Sequence, residues 1–269
     1  MTSADYTYQD LLTAYAALGV RRGGLVFVTS DLSRLMRYEE PGPAALLDAH
    51  LRAFRELLGD EGTLFVPTSS LDLCNTDIAF DPATTPSFQM GAFSEHVRTR
   101  AAAVRSFHPF WSVAGLGPAA KPMLEGISRH AYGWNSVFQR FVEADVLAVA
   151  IGKHPRFAVP VVHHVETVAG VPYRYNKEFN HPVRRDGQVV REPFYLSVLR
   201  LDCDIVRDGN RTIFAHFTAT NGPMREAVIG RGRAWSYQHK AFFDVTARLL
   251  SDNPYAWLER PPNLRPWQS

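Results

Sequence analysis

Three short, almost unbroken apolar runs constrain this chain most: "GLVFVTS" (24–30), "GTLFVPTSS" (62–70) and "DVLAVAIG" (145–152). Each is rich in β-branched and aromatic residues and lacks polar alternation. A strand of that kind must be covered on both faces, so it belongs inside a sheet with helices on either side. Helical spacing lies between the runs. "YQDLLTAYAALG" sets Leu11, Leu12, Tyr15 and Leu18 on one stripe with Gly19 as its stop. "PGPAALLDAHLRAFRELLGDEG" has Pro43 near its start and Gly59 past its end. The order helix, strand, helix, strand implies parallel pairing through helical crossovers. The predicted class is α/β, with a central, mostly parallel sheet flanked by helices.

Further along, residues 72–87 form a polar, proline-broken loop of a length that is often functional. Residues 87–100 read as a helix, Ser112–Leu116 as a strand, and "NSVFQRFVEA" as a helix with Asn135 as N-cap. "VVHHVETVAG" reads as a helix stopped by Gly170. From about residue 171 the character changes. "HPVRRDGQVVREPFYLSVLRLDCDI" holds an Asp-Gly between two strand-like runs, a hairpin signal. "TIFAHFTAT" reads as a further strand, and a short strand and a final helix follow. A β-rich, antiparallel portion is therefore expected over about 171–235. There is no internal repeat, low-complexity segment or linker, so residues 1–269 are expected to form one domain.

The composition excludes several classes. The 269 residues are 46% hydrophobic and 21% charged, with a net charge of +2 and both signs interspersed. That balance gives no reason to expect a nucleic-acid or membrane partner. Cys74 and Cys203 stand in unrelated contexts without zinc-ligand spacing, so two free thiols and no metal site are expected. The N-terminal stretch lacks the basic and apolar regions of a signal peptide, and no apolar run approaches a membrane span of ~20 residues. A cytoplasmic location is expected.

The chemistry centres on "PVVHHVETVAG", residues 160–170. On a helix His163 and Glu166, three residues apart, share a face, while His164 points about 100° away. A histidine can take a proton from an attacking nucleophile near neutral pH, and a carboxylate can fix its tautomer. Spacing alone favours a histidine satisfied by its surroundings. The position favours a site, because the helix follows a buried strand. His108, in "RSFHP", is a candidate for the same cleft or a loop histidine ahead of a proline.

The ordered set of motifs resembles the aminoglycoside 3-N-acetyltransferase family. It comprises "GLVFVTSDLSRL", "GDEGTLFVPT", "FDPATTPSFQMGAFSEHVRT", "RSFHPFWSVAGLGPAA", "HHVE", "VPYRYNKEF" and "IGRGRAWSYQHKAFFDVTARLLSDNPYAWL". The resemblance covers most of the chain. It implies the antibiotic N-acetyltransferase fold and acyl transfer from acetyl-CoA, or another acyl-CoA, to a primary amine by direct attack. It places His163 as the base and Glu166 as its orienting partner. Thr29, Ser30 and Ser33 fall where pantetheine is expected, and Arg105 and Ser106 where CoA is contacted. An aminoglycoside is a polycation that calls for carboxylates. Asp72, Asp77 and Asp81 of the long loop are candidates, or else solvated loop residues. The acceptor is expected to be an aminoglycoside, amino sugar or related small metabolite. A homodimer is a common arrangement that nothing in the sequence specifies.

The chain departs from the family at two positions. Pro160 stands where many members have a threonine, and Asp31 where a serine is common. Pro160 offers neither hydroxyl nor N–H, which leaves the donor for the developing oxyanion open. The basic run "VRRDGQVVR", with "VPYRYNK" before it, suits either a phosphate-bearing substrate or a solvated hairpin. Two other functions remain in view. A hydrolase would use the same histidine, although no G-x-S-x-G elbow is present. A non-catalytic CoA- or metabolite-binding protein would keep the fold without the transfer.

Overall fold

A computed structural model describes residues 4–268. In chain order the elements are α1 (Tyr8–Ala17), β1 (Leu25–Ser30), α2 (Pro43–Leu58), β2 (Thr63–Pro67), α3 (Ala92–Arg98), β3 (Val104–Arg105), β4 (Val113–Leu116), α4 (Ala120–Leu124), α5 (Val137–Glu143), β5 (Leu147–Ile151), α6 (Val161–Ala169), β6 (Arg174–Arg185), β7 (Gln188–Leu199), α7 (Arg211–Asn221), β8 (Arg225–Ile229), β9 (Gly232–Gln238) and α8 (His239–Asp252).

The three apolar runs become β1, β2 and β5, the parallel centre of a seven-stranded sheet in the order β3-β4-β2-β1-β5-β9-β8. The α/β class with flanking helices is borne out. Parallel pairing is confined to these three strands, and two antiparallel strands extend the sheet on each side. One face packs Phe27, Phe65 and Ala148 against α5, α6 and α8. The other packs Val28, Val66 and Ile151 against α1, α2 and α3. Burial on both faces explains why these strands show no polar alternation.

The β-rich C-terminal portion is a separate two-stranded antiparallel ribbon, β6–β7, joined at Asp186-Gly187. Both turn residues have positive φ, 47° and 80°, as a type I′ turn requires. Val183, Phe194 and Leu196 of the ribbon enter the same apolar cluster as α5, α6 and α8. The long loop docks on it: Phe80 N–H donates to Pro182 O at 3.0 Å and Arg184 N–H to Phe80 O at 2.8 Å.

Several expectations need correction. "TIFAHFTAT" is not a strand but part of α7. Its buried residues Ile213, Phe214 and Phe217 follow the one- and four-residue steps of a helix face. The cap of α5 is Ser136, whose hydroxyl accepts from Gln139 N–H at 3.3 Å; Asn135 precedes it with φ 53°. α3 is shorter than the 14-residue stretch expected, because Gly91 (φ 86°) breaks its first half. The segment after α7 holds two strands, β8 and β9, where one was expected. Among the described residues no helix is long and apolar enough to cross a membrane. Both cysteines are free thiols.

Candidate active site

The parallel centre creates the site. The chain runs β1, α2, β2 on one side of β1, and later places β5 on the other. At such a reversal of strand order, the segments leaving the carboxyl ends diverge and open a crevice. A cavity of about 690 Å³ lies there. Thr29 to Ser33, at the end of β1 and just beyond it, Pro67 at the end of β2 and Lys153 after β5 all line it, as does His163 from α6.

The turn after β1 is held tightly. Asp31 N–H donates to Ile151 O at 2.8 Å, and Gly152 N–H to Arg233 O at 2.8 Å. Gly152 has φ 73°, and a Cβ there would sit 2.1 Å from Asp31 O, so only glycine lets the two strand ends approach. Asp31 closes its own turn: Ser33 Oγ donates to Oδ1 at 2.6 Å, and Arg34 Nε lies 2.7 Å from Oδ2. The hydrogen bond from Ser33, followed by that from Arg34, holds the Asp31 carboxyl below its usual range. Thr29 and Ser30 line the cavity, and their hydroxyls have no hydrogen bond among the described residues.

Helix α6 buries Val161, Val162 and Val165 in the core and ends on Gly170 in left-handed conformation. That orientation turns His163 into the cavity and Glu166 behind it. His163 Nδ1 lies 2.7 Å from Glu166 Oε2. Glu166 also receives Tyr173 O–H at 3.2 Å and faces Arg174 Nε at 2.6 Å. The Glu166 and Arg174 side chains are 4% and 7% exposed, so this is a buried ion pair. Burial works to raise the carboxyl pKa. The hydrogen bond and charge of His163, with the Arg174 charge, outweigh it, and Glu166 titrates below its usual range. Burial lowers His163 below 6.5, against the opposing pull of Glu166. The histidine is therefore neutral at neutral pH, with its Nδ1 proton donated to Glu166 and its Nε2 lone pair free. The Tyr132 ring packs edge-on against it, with centroids 5.4 Å apart. His164 points away: its Nδ1 accepts from Gly133 N–H at 3.1 Å, and burial drives its pKa down to about 4.

Thus Thr29, Ser30, Ser33 and His163 meet at one cavity, with Glu166 directly behind. The other candidates do not. Arg105 was expected at CoA but staples loops together. It donates to Thr68 O at 2.6 Å, Ser70 Oγ at 2.9 Å and Ser112 Oγ at 2.9 Å, and also to Thr85 O. Ser106 is buried, and its Oγ accepts from Val113 N–H at 2.9 Å. His108, expected in the cleft, is fully buried. Its Nδ1 accepts from Phe110 and Trp111 N–H at 3.3 and 3.1 Å, and burial pushes its pKa down to about 4. The loop carboxylates lie off the cavity wall. Asp81 pairs with Arg184 at 3.4 Å and Asp77 with Arg191, while Asp72 is exposed on a short 3₁₀ turn. Candidate carboxylates and candidate phosphate-binding arginines therefore neutralise one another, and Arg174 serves Glu166.

Comparison with known proteins identifies the family. The family model for aminoglycoside 3-N-acetyltransferase matches residues 27–251. The chain belongs to the aminoglycoside 3-N-acetyltransferase family. It is accordingly an N-acetyltransferase. It is 26% identical over 269 aligned residues to aminoglycoside N(3)-acetyltransferase VII of Streptomyces paromomycinus, covering 90% of this chain and 88% of that protein. To aminoglycoside N(3)-acetyltransferase VIII of Streptomyces fradiae it is 28% identical, with 66% of each covered. AAC-IIIb, solved as a binary complex with CoASH, superposes with TM-score 0.78 at 21% identity, over 91% of this chain and 96% of that one. AAC-VIa bound to sisomicin superposes with TM-score 0.78 at 21% identity, over 92% and 98%. At those identities the solved structures carry the shared fold.

The family motifs did not point to every wall residue of this N-acetyltransferase. Trp111, Lys153, Phe157 and Arg207 also line the cavity. Lys153 had a sequence signal, the loop "KHPRF" directly after a buried strand. Arg207 had none, because it arrives from the irregular segment between β7 and α7.

Proposed function

We propose that this protein transfers an acetyl group from acetyl-CoA to a primary amine of an aminoglycoside, amino sugar or related small metabolite, with His163 as general base. The observation that carries the reading is a neutral histidine on a cavity wall, tied through Nδ1 to a buried carboxylate. The amine nitrogen attacks the thioester carbonyl carbon. His163 Nε2 takes the proton released from the ammonium, the C–S bond breaks, and the imidazolium returns the proton to the departing thiolate. Glu166 stabilises the imidazolium while it lasts.

Pro160 leaves the negative charge that gathers on the carbonyl oxygen without the donor common in the family. The Thr29 hydroxyl fits that need. It is unpartnered among the described residues, Thr29 lines the cavity, and it shares the sheet face of Phe27, the face that α6 covers. Leu46, Leu47, Met90 and Phe93 give the same cavity an apolar side suited to a pantetheine arm.

The test is titration of acetyl-CoA into the wild type and His163→Ala, followed by acetyl transfer to a panel of amines. Equal cofactor affinity with turnover reduced about 100-fold or more places His163 in the chemistry. Near-normal turnover in the variant removes it. Acetyl-CoA binding without turnover on any amine would favour the non-catalytic alternative.

A further inference from the structure

We propose that the acceptor is a primary amine that also carries an anionic oxyacid group, phosphate or carboxylate, and that Arg207 selects it. The inference rests on the acetyl-transfer reading above and narrows its substrate.

The charge of the cavity wall carries the argument. Its ionisable side chains are Asp31, Lys153, His163 and Arg207. Both oxygens of Asp31 are engaged, by Ser33 and Arg34. His163 is neutral. Lys153 and Arg207 have no carboxylate within 4 Å among the described residues. A polycation entering here would meet two cations and one already engaged carboxylate. The carboxylates that might have compensated, Asp77 and Asp81, are paired with Arg191 and Arg184 off the wall.

Both cations line the same cavity as His163. The charge of Lys153 reaches Asp31 after β1, and that of Arg207 reaches His163 and Tyr173. An unpaired guanidinium presents a planar fork that matches phosphate or carboxylate with two parallel hydrogen bonds. On the wall of the same cavity as His163, it would orient an acceptor by its anion and present its amine to Nε2.

The experiment measures binding and transfer separately. Glucosamine 6-phosphate, 2-amino-2-deoxygluconate and glucosamine are titrated into CoA-loaded wild type and Arg207→Met. Acetyl transfer is then measured for the same three amines and for sisomicin. At least one anionic amine should bind at least about tenfold more tightly than glucosamine, as a charge-assisted pair implies. That preference should collapse in Arg207→Met, with the KM for acetyl-CoA unchanged. Arg207 is exposed, so the variant should fold. Equal binding of glucosamine and both anionic amines overturns the proposal. So does the highest kcat/KM falling to sisomicin, or a variant that raises the KM for acetyl-CoA and keeps the preference. Anion preference without transfer to any amine would uphold Arg207 and sink the transferase reading; transfer without preference would do the reverse.

Discussion

Replacing Glu166 with glutamine removes one charge and leaves the shape of the site almost unchanged. The amide oxygen can still accept from His163 Nδ1, so the tautomer is retained. What disappears is the charge that stabilises the imidazolium across 2.7 Å. A hydrogen bond to a charged group contributes about 1.5–3 kcal/mol net, and each 1.36 kcal/mol is a factor of about ten in rate. Glu166→Gln should therefore lower kcat about 10- to 150-fold and leave the KM for acetyl-CoA unchanged. The pH profile gives a second, signed readout. Burial already sets His163 below 6.5, and Glu166 pulls the other way. Removing that pull lowers the histidine further, so the acid limb of kcat/KM must move to lower pH. Stability also falls, because Arg174 keeps its charge in a buried site. Breaking a buried pair costs about 3–5 kcal/mol, a Tm loss of very roughly 6–20 °C in a chain of this size. Rates should be compared well below that transition. An unchanged kcat, or an acid limb that stays or moves up, would refute the argument and leave Glu166 as a residue of the fold alone.

Acid should unfold this protein early. Burial drives the pKa of His50 down to about 3, and those of His108, His164 and His239 to about 4. Below pH 6.5 the unfolded chain therefore binds protons that the folded one refuses. Stability is lost as pH falls toward 4, by up to about 5 kcal/mol per pH unit where four histidines differ at once. A urea midpoint that is the same at pH 7 and pH 5 would contradict this. Gly152→Ala should destabilise the fold and raise the KM for acetyl-CoA, because its Cβ would meet Asp31 O; a crystal structure of the variant with an undisturbed 30–33 turn would count against it. Arg105→Met removes four hydrogen bonds, to Thr68 O, Thr85 O, Ser70 Oγ and Ser112 Oγ, so thermal melting should fall by several kcal/mol's worth, with the KM for acetyl-CoA unchanged in the folded protein. A raised KM without thermal loss would return Arg105 to the cofactor site.

Much of the fold was legible because burial on two faces leaves a mark. The runs that became β1, β2 and β5 are apolar without alternation, and the Asp-Gly turn between β6 and β7 has the residues its positive φ angles require. "TIFAHFTAT" misled because threonine and phenylalanine favour strands by composition, while the spacing of Ile213, Phe214 and Phe217 is helical. Within the site, His163 and Glu166 were readable from an i,i+3 spacing, which geometry converts directly into contact. Arg105 and His108 lie off the cavity wall, and sequence could not show this because a polar residue near a cleft and one fastening loops beneath it look alike. Only their partners separate them: backbone carbonyls for Arg105, and two backbone N–H groups for His108. The opposition of Asp77 and Asp81 to the ribbon arginines depends on contacts across about a hundred residues, which no local pattern carries.

In the proposed mechanism the site works through three charges in series, and each link answers a cost imposed by burial. A buried carboxylate tends to take up a proton, yet Glu166 must stay ionised to hold the Nδ1 proton of His163; Arg174, itself buried, supplies the countercharge. A buried imidazole resists protonation, which keeps Nε2 free at neutral pH but would make it a weak base; the carboxylate restores affinity for the arriving proton. Arg207 stands outside this series, on the same cavity wall as the histidine and without a carboxylate partner among the described residues. Its charge opposes the imidazolium and so works against the base while the cavity wall is bare. An acceptor bearing an anion would cancel that opposition on arrival, raising the proton affinity of His163 when an amine is in place to be deprotonated. A polycation would add to it. The charge that argues for an anionic acceptor from binding thus argues for the same acceptor from the chemistry.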